Sequence, residues 1–282
     1  MILFKFSEIY KLFYKYKIFF LRIICYEKPY RVGIIKYLSL KFKKFRPHYE
    51  CILFEACYEA KKLDYKEVSV LELGVAGGNG IIALEKYKTK MEKIFNIKIN
   101  IYGFDSGNGL PKPLSVLDPT FLWQEGKYKI DKKKIELNTN SKIFFGDIRN
   151  TIDDFANYYP KNIISIFFDL DLYSSTKSFL DQLFKLEKFL CPRVYCFFDN
   201  IFNINHYLNK FNGELGAINE FNKTSLNMKL ACSLDNLNDY KFPLAKNMLY
   251  ILHNFNHKDY NKYINESESD LEIDNNKAPS IL

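Results

Sequence analysis

The chain is poor in the residues that build metal centres and disulfide frameworks. It has four histidines, His48, His206, His253 and His257, and six cysteines with no CxxC pair among them. No histidine stands at metal-ligand spacing from a cysteine, which excludes a zinc finger or ribbon. Cys51 and Cys57, like Cys191 and Cys196, sit in apolar surroundings, where a free thiol behaves as a small hydrophobe. This usage points to a reduced, cytoplasmic setting. A long uninterrupted apolar run is also missing. Residues 1–28 are apolar and aromatic, but Lys5, Glu8, Lys11, Lys15, Lys17 and Arg22 break them up. A membrane span needs about 20 apolar residues, so this stretch is not one. No small-residue cleavage site follows it, so a signal peptide is not expected either. Internal repeats are absent, and so is a GxGxxG dinucleotide fingerprint.

The body of the chain has no excess of positive charge, although the whole carries +8. Residues 1–46 hold 12 Lys/Arg against 2 Asp/Glu, and residues 47–282 hold 29 against 31. A polyanion-binding protein carries its basic stripe on the binding domain, so a nucleic-acid partner is not expected. Residues 1–46 read as a basic amphipathic helical arm. Its apolar face has three destinations: this same domain, a second subunit in a homo-oligomer, or the anionic inner face of a membrane. Residues 265–282 form an acidic, polar tail with little to bury.

Between these ends the pattern alternates strand and helix. Residues 48–64 have apolar positions at helical spacing. Strands are expected at 68–73, 98–104, 142–145, 163–168 and 193–198, with late strands at 228–232 and 248–253. Helices are expected at 81–94, 174–190 and 217–222. Alternation of this kind gives an α/β, Rossmann-like fold with a mostly parallel seven-stranded sheet and helices on both faces. One domain spans 47–264. Residues 106–140 form a long polar insertion, the natural lid over a site, with Trp123 and Tyr128 as its aromatic residues.

Ligands of open parallel sheets bind at the carboxyl ends of the strands. This sequence places an acid at nearly every such end: Glu72, Asp105, Asp147, Asp169 with Asp171, and Asp199 followed by Asn200. The turn after the first strand, ELGVAGGNG, brings Gly74, Gly77, Gly78 and Gly80 into seven residues of a chain with only 12 glycines. Such a loop lets the backbone approach a ligand, and the helix N-terminus behind it can donate N–H groups. Asp105 is placed to accept from ribose hydroxyls. Asp147 is placed either beside an adenine or as a helix cap near Thr151. Asp169, Asp171, Asp199 and Asn200 group oxygens that would repel unless a cation joined them, which makes them candidate Mg²⁺ ligands.

Taken together, ELGVAGGNG, FDSGNGLP (104–111), FLWQEG (121–126), FFDLDLYSST (167–176), FFDN (197–200), GELGAINEFN (213–222) and MLYILHNF (248–255) resemble bacterial class I methyltransferases of the macrocin O-methyltransferase family. The resemblance runs from about His48 to about Tyr263. It implies S-adenosylmethionine contacts at Glu72, Gly74, Gly78, Gly80 and Asp105, and Mg²⁺ at Asp169 or Asp171 and at Asp199. The family pattern has two acids where this chain has Asp199-Asn200, although catechol O-methyltransferase is similar in using an Asp-Asn pair. The implied activity is O-methylation of a sugar, glycan or other small-molecule hydroxyl, as in surface-polysaccharide modification. Asp171 or His206 would take the proton.

Overall fold

The computed structural model describes residues 46–201, 207–232 and 248–264. The arm up to residue 45, His206 and the acidic tail lie outside the described residues, and so do the expectations placed on them.

The chain enters the domain through α1 (Pro47–Lys62), with proline in its first turn, where the missing N–H has no helical partner to lose. Glu50 in that first turn and Lys61 and Lys62 in the last complement the helix dipole. Then follow β1 (Glu67–Leu73), α2 (Asn79–Phe95), β2 (Lys98–Asp105), α3 (Lys132–Asn138), β3 (Lys142–Phe145), α4 (Ile148–Asn157), β4 (Ile163–Phe168), α5 (Tyr173–Gln182), β5 (Leu190–Phe198), α6 (Gly213–Thr224), β6 (Met228–Cys232) and β7 (Leu249–Asn254). The sheet order is β3-β2-β1-β4-β5-β7-β6. Strands β1 to β5 run parallel, while β7 pairs antiparallel with both β5 and β6. The expected α/β architecture is therefore present. All but the first residue of β1 and every residue of β4 are buried, as expected of parallel strands covered on both faces. Helix α1 packs on α2, while α5 packs on both α4 and α6. Strand order reverses between β1 and β4, which opens a crevice at their carboxyl ends.

The expected helix over 174–190 divides in two. After α5 the chain continues as a 3₁₀ turn, Leu183–Phe189. This geometry rises about 2.0 Å per residue, against about 1.5 Å in an α-helix. The segment thus reaches the sheet sooner, and β5 begins at Leu190, opposite Ile163. The ladder then skips to Ser165 opposite Tyr195. Pro192 lies inside that irregularity, where its missing donor costs no ladder bond.

The insertion also differs from a plain loop, because it ends in α3 and is tied down at several points. Asp118 Oδ2 accepts from the Leu114 and Ser115 amides at 2.8 and 2.9 Å, and its Oδ1 accepts from Ser174 N at 2.8 Å. One buried carboxylate thereby pins the insertion to the first turn of α5. At the far end, Glu85 of α2 accepts from the amides of Asn140 and Ser141, both at 2.8 Å. Among the described residues no helix is long and apolar enough to cross a membrane. The five described cysteines are free thiols.

The core is aromatic around β4 and β5. Phe168 stacks on Phe198 with ring centroids 4.2 Å apart and meets Phe179 edge-on at 5.5 Å. Replacing it, as Phe168→Ala, is expected to lower the unfolding free energy by about 3–5 kcal/mol in a denaturant titration. A loss under about 1 kcal/mol would show that this cluster is not the centre of the core.

Candidate functional site

Each strand ladder runs one residue past its strand and so fixes the edge. Gly74 N donates to Phe104 O at 2.8 Å, Asp169 N to Leu73 O at 2.9 Å, Asp199 N to Phe168 O at 3.0 Å, and Gly146 N to Asp105 O at 2.9 Å. The residues that follow β1, β2, β3, β4 and β5 therefore meet around one cavity of about 810 Å³. Gly74, Gly77, Asp105, Asp147, Asp169, Asp171, Asp199 and Asn200 all line it. Trp123 and Tyr128 line it from the insertion.

The glycine loop is shaped by close approaches. A Cβ on Gly74 would lie 2.0 Å from the Asp169 carbonyl oxygen, so the β1 and β4 turns can touch only with glycine there. A Cβ on Gly80 would lie 1.5 Å from Glu72 Oε1. Gly77, by contrast, has open space where a side chain would be. Gly78 caps α2 in the left-handed conformation, φ 82°.

The structure places Glu72, Gly78 and Gly80 behind the cavity wall. The Glu72 carboxyl is buried beneath Gly80, where Oε1 accepts from the Tyr49 hydroxyl at 3.2 Å. Its Oε2 has no hydrogen-bond partner among the described residues. Burial pushes this acid up to about 8, against the pull of Arg46, and nearby Asp169 adds to the rise. Asp105 lies in the wall itself. Its Oδ2 accepts from Val75 N at 3.0 Å and Ala76 N at 2.9 Å, and its Oδ1 from Gly107 N at 2.7 Å. A carboxylate offers roughly four acceptor positions, so Asp105 shapes the loop and still has capacity for a ligand hydroxyl. Asp147 caps α4 through Arg149 N at 2.9 Å and also holds the Arg149 guanidinium. Of the two roles open to it in the sequence, capping is satisfied, and the residue still faces the cavity.

The opposite wall is a partly buried acidic cluster. Burial and Asp199 push Asp169 up to about 6. Burial, then Asp169 and Asp199, push Asp171 up to about 7. Asp171 is only 7% exposed and has a left-handed backbone, φ 61°. Burial raises Asp199 as well. The four candidate metal ligands, Asp169, Asp171, Asp199 and Asn200, lie together on this wall. Among the described residues no three His, Cys, Asp or Glu side chains form a ready-made metal cluster. Among those residues the cation paired with Asp169 is Arg46, whose Nη1 lies 3.6 Å from Asp169 Oδ2.

Three residues of this site carried no functional assignment in the sequence. Arg46 was read as the end of the arm, yet it lines the cavity. Tyr49 was part of a helix pattern, yet its hydroxyl joins Arg46 to Glu72. Glu214 is fully buried and accepts from Leu170 N at 3.2 Å and Asn200 N at 3.0 Å, linking the turns after β4 and β5. The available signal for Glu214 was an acid in the first turn of an otherwise apolar helix, GELGAI.

No family profile and no curated protein sequence matches the chain. Among solved structures it is similar to CalS11, a calicheamicin methyltransferase, at 18% identity and a TM-score of 0.50, over 80% of this chain and 87% of that one. It is also similar to the O-methyltransferase NovP at 16% identity and a TM-score of 0.39, over 52% of this chain and 64% of that one. A third similar structure is the plantazolicin methyltransferase BamL, at 13% identity and a TM-score of 0.38, over 72% and 71% of the two chains. At these identities the likeness to CalS11 is one of fold.

The position of Glu72 has a pH consequence. The folded chain keeps the Glu72 proton from its ordinary 4.5 up to about 8, whereas the unfolded chain releases it near 4.5. Its contribution to stability therefore falls as pH rises through that window, and the loss is complete above about 8. Glu72→Gln is expected to flatten the stability–pH profile between those limits, by an amount on the order of a few kcal/mol. Parallel profiles for the two proteins in urea titrations would show that Glu72 is ionised in the fold throughout.

Proposed function

We propose that the chain is an S-adenosylmethionine-dependent methyltransferase acting on a hydroxyl of a sugar, glycan or other small molecule. The observation that carries this reading is one cavity with two unlike walls, a glycine loop bound to Asp105 on one side and an acidic cluster on the other. Its volume lies within the usual 300–1,000 Å³ or so of ligand sites. The donor set fits a methionine-nucleoside. Gly74 and Gly77 leave the backbone bare, the N-terminus of α2 at Asn79 lines the cavity and suits a ligand carboxylate, and Asp105 has acceptor capacity for a ribose diol.

A bound sulfonium supplies a methyl group that is already activated. The protein's share is alignment and proton removal, and alignment alone can lower a barrier by several kcal/mol. Asp171, raised to about 7, is poised to accept a proton near neutral pH. In the transfer the S–CH₃ bond breaks, an O–CH₃ bond forms, and the hydroxyl proton passes to the Asp171 carboxylate. Trp123 and Tyr128 line the acceptor side. Magnesium assistance is implied by the family resemblance, but Arg46 already lies beside Asp169 in this arrangement, and no step here depends on the metal. A soluble, cytoplasmic enzyme without a nucleic-acid partner is the setting this reading assumes.

Titration calorimetry with S-adenosylhomocysteine tests the donor site. The wild-type chain is expected to bind it, and NAD is not expected to compete. Gly77→Val puts a side chain into open space at the wall, so it should weaken binding by about tenfold or more, at least 1.4 kcal/mol, with the melting temperature unchanged. Absence of wild-type binding would overturn the reading. Asp171→Asn should keep donor affinity and slow methyl transfer by on the order of 10²–10⁴; an unaltered rate would remove Asp171 as the base.

A further inference from the structure

We propose that the Arg46 guanidinium is the resident cation of this site and stands beside Asp169 and Asp199 where a divalent metal would otherwise be needed. The proposal deepens the methyltransferase reading, because it assigns the electrostatics of the same acceptor wall. It stands on geometry. Arg46 Nη1 lies 3.6 Å from Asp169 Oδ2 and donates to the Tyr49 hydroxyl at 2.8 Å. The guanidinium carbon lies 5.0 Å from the centre of the Tyr49 ring, within cation–π range. Tyr49 is itself buried and donates a hydrogen bond to Glu72, so the side chain of Arg46 is held between Asp169 and an anchored tyrosine.

Charge balance in the wall leads to the same assignment. Asp169, Asp171 and Asp199 line one edge of the cavity, and Glu72 is buried nearby. Two cationic side chains line the cavity among the described residues, Arg46 and Arg149. Arg149 is already engaged by Asp147 through two guanidinium nitrogens. Arg46 is therefore the cation left for the β4 and β5 acids. A guanidinium is also less strongly hydrated than an ammonium, which suits a half-buried position. It cannot coordinate a hydroxyl as a metal does. Deprotonation of the acceptor accordingly falls to a carboxylate, and Arg46 supplies positive charge beside Asp169.

The test is titration of the full chain with MgCl₂, with S-adenosylhomocysteine titrated separately. Arg46→Gln keeps a hydrogen-bond donor toward Tyr49 but removes the charge, and Arg46→Lys keeps the charge. Wild type and Arg46→Lys are expected to bind Mg²⁺ weakly. Arg46→Gln should bind it more tightly by on the order of tenfold or more, because its acids have lost their cation. A further Asp199→Asn substitution in Arg46→Gln should abolish that gain. A role confined to packing would shift the stability of these variants without creating a metal site. Tight stoichiometric Mg²⁺ binding by wild type, or no gain in Arg46→Gln, would overturn the proposal. Failure to bind S-adenosylhomocysteine while the Mg²⁺ pattern holds would instead remove the methyltransferase reading alone.

Discussion

The site depends on the close approach of the β1 and β4 turns at Gly74. The Asp169 carbonyl sits where a Cβ of residue 74 would be, so any side chain there would force the two turns apart. The bond from Asp169 N to Leu73 O extends the β1–β4 pairing to its last residue. Because β1 is central, with β2 and β3 on one side and β4 and β5 on the other, this contact sets the distance between the two walls of the cavity. Glu214 and Asp105 secure the consequences. Glu214 links the turns after β4 and β5, and Asp105 fixes the glycine loop against the turn after β2.

A second constraint is electrostatic. Parallel strands aim their carboxyl ends at one edge, and here that edge is acidic and partly buried. The fold answers with neutralisation and pairing. Glu72 holds its proton, Asp147 takes Arg149, and Asp169 takes Arg46. The acid nearest to working pH is Asp171, which has neither a capping role nor an ion pair among the described interactions and faces the cavity. A side chain left in that state is suited to moving a proton.

Much of this could be read from the sequence, because its signals are local. Apolar runs followed by an acid located β1, β2, β4 and β5 and their functional ends, and clustered glycines located the loop. Residues whose role depends on partners distant in sequence were not legible. Glu72 looked like a ligand contact, but its carboxyl turned inward because Tyr49, 23 residues earlier, offers the buried hydrogen bond. Arg46 sat in a run of basic residues whose pattern suggested a separate arm, and only the folded position of α1 brings it to the acids. The metal expectation came from counting oxygens. Counting could not reveal that a guanidinium at the start of α1 would lie beside one of them.

The contact between Glu72 and Gly80 also bears on how this sequence can drift. With Glu72 oriented as it is, position 80 accommodates no Cβ. The two positions are therefore coupled through space rather than selected separately. A lineage that gains alanine at 80 must shorten or redirect the acid at 72, and one that shortens residue 72 frees position 80 to vary. Paired substitution at these two sites would mark descendants that have rebuilt the floor of the cavity, whatever has become of the loop above it.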